Sequence, residues 1–300
     1  MIEIQEVTKS FGQTEAVRQL SAEMREGEVF GLIGTNGAGK STLLRMIAGV
    51  LRPDSGQILV DGRPVYEDPE VKSSICFIPD SAFFPVNATA ASMMRTFSII
   101  YPDFRMERCV QLLGRVGLDV RRKVRTYSKG MKKQLSVVLG LCAGTKYLLC
   151  DETFDGLDPV MRQAVKGIFA AEMLDREFVP VIASHNLREL EDICDHAGLL
   201  HRGGILFSEN LEDMKFHMQK VQCVLNDPGE DEKLLSGLDI VTKEKRGSML
   251  TFVARGTRTE IMDAVGRFSP VFAECIPLTL EEIFIAETEV AGYDLYNIMA

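Results

Sequence analysis

No apolar run in the 300-residue sequence approaches the roughly 18–20 residues that a membrane-spanning helix needs. The N-terminal stretch Met1-Ile2-Glu3-Ile4-Gln5-Glu6 lacks the basic-then-apolar pattern of a secretory leader, so any role at a membrane is expected to come through a partner. The seven cysteines form no C-x-x-C pair, and their number is odd. Most sit in apolar surroundings and read as reduced, buried thiols of a cytosolic protein. None of the four histidines lies at ligand spacing to a cysteine pair, which argues against a zinc site. Positive charge is also scarce: 34 Lys and Arg against 43 Asp and Glu leave a net charge of −9. That balance disfavours broad electrostatic binding to nucleic acid, and none is expected, although a local basic patch is compatible with it. The length suffices for two domains of ordinary size.

Against these absences stands one dense motif. Gly34-Thr35-Asn36-Gly37-Ala38-Gly39-Lys40-Ser41-Thr42 fits the phosphate-loop pattern G-x-x-x-x-G-K-[ST]. The apolar run Val29-Phe30-Gly31-Leu32-Ile33 before it reads as a buried strand, and Leu43, Leu44, Ile47 and Val50 after it recur at helical spacing. Glycines let the backbone wind tightly and turn successive N–H groups toward anionic oxygens. The helix N-terminus adds its dipole and free amides. Lys40 can reach terminal phosphates, and Ser41 can offer its hydroxyl to Mg2+. A glycine-rich turn that binds nothing is the plainer alternative, and the flanking strand and helix weigh against it.

Upstream, Ile2, Ile4 and Val7 open a strand, and Leu20, Ala22 and Met24 alternate with polar residues as a half-buried strand does. Phe11, in the turn Ser10-Phe11-Gly12-Gln13, is either a core aromatic or, from its place ahead of the phosphate loop, a platform for an adenine ring. Downstream, strands are predicted from Gln57 to Val60 and from Ile75 to Ile78. Helical patterns follow from Thr89 to about Ile100 and from Glu107 to Val116, the second with Val110, Leu113 and Val116 on one side. This strand-poor region, about 82–142, reads as a helical insert between two parts of an α/β core. It contains the basic run Arg121, Arg122, Lys123, Arg125, Lys129, Lys132 and Lys133. The run reads as a solvated face, the alternative being a surface that meets phosphate from another subunit.

Tyr147-Leu148-Leu149-Cys150-Asp151-Glu152 is an apolar strand ending in two carboxylates. A phosphate-loop ATPase holds Mg2+ at such a strand end. One carboxylate can bind the metal while its neighbour orients a water for attack. The alternative is two loop acids that cap the next element. From Val179 to Ala183 runs another buried strand, with Ser184 and His185 at the edge where α/β sheets bind ligands. Strands alternating with helices predict a largely parallel sheet covered on both faces.

With these motifs in this order, the chain resembles the nucleotide-binding subunits of ABC transporters over about residues 1–215. The resemblance implies ATP and Mg2+ as cofactors and Phe11 as the aromatic that stacks on adenine. Tyr127-Ser128-Lys129-Gly130-Met131 stands where that family usually has the signature Leu-Ser-Gly-Gly-Gln, and it leads a helix through Gln134, Leu135 and Val138. Ser128 and Gly130 would then bind the γ-phosphate held by another subunit. Asp151 resembles the Mg2+ ligand, Glu152 the general base and His185 the switch histidine. Asp155-Gly156-Leu157-Asp158 resembles the D-loop, with Asp158 at the nucleotide. Three departures stand out. Asp80 replaces the usual glutamine before the helical insert and is expected to engage Mg2+ directly or through water. Lys129 replaces a signature glycine and either adds a cation near the partner's phosphate or points to solvent. Thr153-Phe154-Asp155 replaces the usual Pro-Thr-Ser, placing Phe154 and Asp155 as residues that tune a dimer seam.

Residues 216–300 carry none of these motifs. The order of predicted elements there, βαββαβ, is that of a ferredoxin-like unit, and Thr257/Glu260 and Thr279/Glu282 are capping-box patterns. The terminal segment Leu280-Glu281-Glu282-Ile283-Phe284 resembles one common in ATPases of ABC-2-type exporters. The expected fold is thus an α/β P-loop ATPase core with a helical subdomain, plus a small α+β C-terminal domain. The resemblance implies an ATP-hydrolysing transport motor, a homodimer or a heterodimer with a paralogue. It would drive a separate transmembrane permease from the cytosolic face of the membrane. The alternative is a non-transport ATPase of the same fold, or a nucleotide-gated regulatory module with low turnover.

Overall fold

The computed structural model describes residues 1–154, Leu157 and 159–290. The chain divides into two compact units, Met1–Ser208 and Glu209–Ala300.

In the first unit, β1 (Ile2–Phe11) and β2 (Thr14–Met24) form a hairpin turned at Gly12, whose φ of 60° suits a residue without a Cβ. Next come β3 (Phe30–Ile33), α1 (Lys40–Ile47), β4 (Ser55–Val60) and β5 (Arg63–Pro64). Strands β2-β1-β4-β5 make an antiparallel sheet of their own. The expectation of a largely parallel sheet therefore does not extend to the N-terminal strands. A tight hairpin returns the chain antiparallel, whereas parallel neighbours need a long crossover.

The remaining elements of this unit are α2 (Pro69–Ser73), β6 (Ile75–Ile78), α3 (Ala90–Ile100), α4 (Met106–Arg115), α5 (Lys129–Leu141), β7 (Tyr147–Asp151), α6 (Pro159–Asp175), β8 (Val179–Ser184), α7 (Leu187–Ile193), β9 (His196–His201) and β10 (Gly204–Asn210). A six-stranded sheet has the order β10-β9-β3-β8-β7-β6, and the pairs from β9 through β6 are parallel. Its central strands β3, β7 and β8 are buried along their whole length, as strands covered on both faces must be. Helix α1 buries Leu43, Leu44, Met46 and Ile47 in the core that the two sheets share.

The helical insert has a separate core built around Met94, Cys109, Leu113, Val124 and Leu135. Thr89 caps α3 in a reciprocal box with Ser92. Helix α4 turns a different face inward from the one its pattern predicts. Cys109, Leu112 and Leu113 are buried, while Val110 is 48% exposed. Among the described residues no helix is long and apolar enough to cross a membrane.

The second unit opens with α8 (Leu211–His217) and continues through β11 (Met218–Val224), α9 (Asp231–Ser236), β12 (Asp239–Arg246), β13 (Met249–Arg255), α10 (Arg258–Gly266), β14 (Phe272–Ile276) and α11 (Leu280–Val290). Its sheet has the order β12-β13-β11-β14 with antiparallel pairs throughout, the split βαβ arrangement of a ferredoxin-like fold. Both capping boxes form: the Thr257 and Thr279 hydroxyls accept from Glu260 N and Glu282 N, and the glutamates reach back to the threonine N–H groups.

Candidate nucleotide site

Parallel register assembles the site. Ile33 pairs with Ser184, Ala183 with Asp151, and Cys150 with Ile78. The residues that follow each strand therefore leave one edge of the sheet side by side: Gly34 after β3, His185 after β8, Glu152 after β7 and Asp80 after β6.

The loop from Gly34 to Thr42 is shaped by close backbone approaches. A Cβ on Gly39 would stand 2.2 Å from the Ala16 carbonyl oxygen, and one on Gly34 would stand 2.5 Å from that of Leu200. Gly37 and Gly39 have φ of 82° and 107°, in the region glycine reaches freely. Thr35, Asn36 and Gly37 form the exposed rim of the loop, and Ala38 packs beneath it. Gly39 caps α1 with no side chain over the first turn, so backbone amides and the positive end of the dipole are presented together. Lys40 is only 5% exposed; its Nζ donates to the carbonyls of Gly34 at 2.7 Å and Thr35 at 3.2 Å.

Three groups face this loop. The Ser41 hydroxyl donates to Asp151 Oδ1 at 2.9 Å. Burial first, and repulsion from Glu152 and Asp80, hold the Asp151 carboxyl above the usual aspartate range, while the Ser41 hydrogen bond pulls it down. Glu152 adopts a left-handed backbone with φ of 50°, a conformation that costs a non-glycine residue about 1–3 kcal/mol. Its carboxylate lies between Lys40 Nζ at 3.1 Å and His185 Nδ1 at 2.7 Å. His185 itself is 44% exposed and so stands open to a ligand.

The fit to nucleotide and metal follows from the donor set. The loop's positive-φ glycines Gly37 and Gly39, together with the uncapped first turn of α1, suit phosphate oxygens. The adjacent Ser41 hydroxyl and Asp151 carboxylate are hard oxygen donors of the kind Mg2+ takes.

The other predicted residues lie as follows. Phe11 ends β1 with 52% of its surface exposed and is not a core aromatic; Lys9 Nζ lies 5.8 Å from its ring centroid. Ser128 is the N-cap of α5, accepting from Met131 N at 3.2 Å, with Gly130 in the first turn of that helix. Lys129 is exposed. Asp155, Gly156 and Asp158 fall outside the described residues. Phe154 is 1% exposed and packs edge-on to Phe169 at 6.0 Å, so it belongs to the core rather than to a seam. Asp80 forms an ion pair with Lys133 at 3.4 Å.

A model of the family described as ABC transporter matches residues 17–155. The ABC transporter ATP-binding protein YtrB of Bacillus subtilis (strain 168) is 31% identical over 288 residues, covering 96% of this chain and 98% of its own length. This chain belongs to the ABC transporter ATP-binding family. The bacitracin transport ATP-binding protein BcrA of Bacillus licheniformis is 30% identical over 224 residues, covering 73% and 72% of the two chains. A solved ATP-binding subunit of an ABC transporter superposes with a TM-score of 0.65 at 24% identity, over 72% of this chain and 92% of that one, and so shares its fold. ATP hydrolysis is the general activity of such ABC domains, and their subunits dimerise and work with transmembrane permease subunits.

Two residues of this ABC subunit escaped the sequence reading. Lys133, read as part of a solvated basic face, is 5% exposed. Its spacing was the available signal, since it shares a helical stripe with the buried Val137 and Leu141. Glu189, 3% exposed, accepts from the Ser184 hydroxyl at 3.3 Å and from Asn186 Nδ2 at 3.1 Å. It thereby braces both neighbours of His185.

Proposed function

We propose that this chain is the ATP-hydrolysing motor of an exporter. Two copies, or one copy and a paralogue, pair head-to-tail with each ATP between one subunit's phosphate loop and the other's Ser128 loop. Gly34 to Thr42 cradle the phosphates, Lys40 neutralises their charge, and Phe11 stacks on adenine. Ser41 and Asp151 would hold Mg2+, which would supply positive charge against the phosphates. Glu152 polarises the attacking water as general base, His185 contacts the γ-phosphate, and Ser128 and Gly130 with Asp158 complete the site from across the dimer. The permease docks a cytosolic helix near the segment from Asp80 to Pro85, where Phe83 is 85% exposed. That contact would hold the subunit at the cytosolic face of the membrane. The export direction draws support from the segment Leu280 to Phe284, which resembles one common in ATPases of ABC-2-type exporters.

The observation that carries this reading is the Glu152 carboxylate, held between Lys40 and His185 beside the Ser41–Asp151 pair. Glu152→Gln keeps the shape and loses the base. The expected outcome is a fall in kcat of roughly a hundredfold or more, with ATP still bound and a dimer trapped, read by turnover assay and by light scattering with and without ATP. Retained turnover would remove Glu152 from the mechanism. Low turnover in the parent itself would favour the regulatory-module reading.

A further inference from the structure

Lys133 shares its stripe of α5 with Val137 and Leu141 and is buried nearly as they are, yet it ends in an ammonium. A buried charge needs acceptors close by. Lys133 Nζ donates to the main-chain oxygen of Glu152 at 2.6 Å and lies 3.4 Å from Asp80 Oδ1. These acceptors come from the loops after β7 and β6. The carbonyl belongs to the left-handed residue of the site. On its other side, Glu152 N donates to the Ala183 oxygen at 2.9 Å. The strained peptide is therefore pinned from α5 and from β8, and the Glu152 side chain is aimed between Lys40 and His185.

We propose that Lys133 is a positioning residue that clamps the main chain of Glu152, with Asp80 as its counter-ion, so that the charge of Asp80 serves this clamp and not Mg2+. The proposal rests on the reading of Glu152 as general base. Helix α5 also carries Ser128 at its N-cap, so the clamp would link that residue to the Glu152 carbonyl through one helix.

The test uses the full chain with Lys133→Met, Lys133→Arg, Asp80→Asn and the double variant Lys133→Met/Asp80→Asn. Three readouts are needed: kcat, KM for ATP, and Mg2+-dependent binding of a fluorescent ATP analogue. Lys133→Met is expected to lower kcat roughly tenfold or more while KM stays within about twofold, the signature of lost transition-state geometry. Lys133→Arg keeps charge and donors and is expected to recover most of kcat. Asp80→Asn is expected to lower kcat without moving the Mg2+ half-saturation of analogue binding. The double variant should be no slower than Lys133→Met, because both changes break one unit. A Lys133→Met kcat within about twofold of the parent overturns the clamp. A Mg2+ half-saturation raised about tenfold in Asp80→Asn returns Asp80 to the metal and overturns its assignment here. Asp80 is half exposed, so its variant keeps the proposal testable even where Lys133→Met does not fold. Glu152→Gln measured alongside separates the two readings, since full turnover there defeats the general-base assignment whatever the Lys133 variants do.

Discussion

At the scale of single residues, this site holds groups that the fold itself disfavours. Asp151 is 2% exposed, and burial, the largest influence on it, raises its carboxyl above the usual aspartate range. A carboxyl raised in this way binds its proton more tightly folded than unfolded. The nucleotide-free protein therefore loses stability as pH climbs through the window that begins at the ordinary aspartate value. Asp151→Asn removes the ionisation. Its Tm without nucleotide is expected to exceed the parent's at neutral pH, and the gain should shrink as pH falls to the ordinary aspartate value. Thermal unfolding at a series of pH values checks this, and a Tm below the parent's at neutral pH would contradict it. If Asp151 holds Mg2+ as proposed, the same substitution should also abolish the Tm rise expected on adding MgATP to the parent. Such residue types were legible from the motif alone. Lys133 and Glu189 were not, because a charged residue on an apolar stripe reads as a surface residue until its partners are seen: carbonyl and carboxylate acceptors from two other loops for Lys133, and the nearby Ser184 and Asn186 donors for Glu189.

At the scale of elements, α4 shows how a periodic pattern fixes a helix without fixing its face. Val110, Leu113 and Val116 recur at helical spacing, but so do Cys109, Leu112 and Leu113, and the insert's core takes the second set. Leu113 belongs to both and is fully buried. Leu113→Ala is expected to cost about 2–5 kcal/mol, from lost transfer energy and the cavity left behind. Val110→Ala, at a position 48% exposed, should lie within about 0.5 kcal/mol of the parent. Urea denaturation of both variants measures the difference; equal costs would put the helix the other way round. The capping boxes at Thr257 and Thr279 are a contrasting case. They are local in sequence, each made by residues three apart, and both were readable before any packing was known.

At the scale of the whole molecule, the cysteines report how completely the chain is closed. All seven are free and six are buried, with Cys275 partly accessible. Burial pushes the Cys76 thiol up to about 12 and the Cys223 thiol up to about 11, which leaves almost no thiolate to react. In native protein a maleimide is expected to label Cys275 first and the other cysteines only on unfolding, as followed by mass spectrometry. Labelling of Cys76 or Cys150 at the rate of Cys275 would mean that the sheet opens in solution. The sequence by itself determined the phosphate loop, the paired carboxylates at a strand end and the βαββαβ order of the second unit. Each of these is carried by neighbours in the chain, through glycine's backbone freedom, side-chain periodicity and turn chemistry. Only the tertiary structure decided that Ile33, Ser184, Asp151 and Ile78 end at one edge of a parallel sheet. It alone turned Glu152 between Lys40 and His185, and sent Lys133 inward to a strained carbonyl. The reason is physical: register, burial and the pairing of charges depend on segments far apart in sequence, and no local signal records which strand lies beside which.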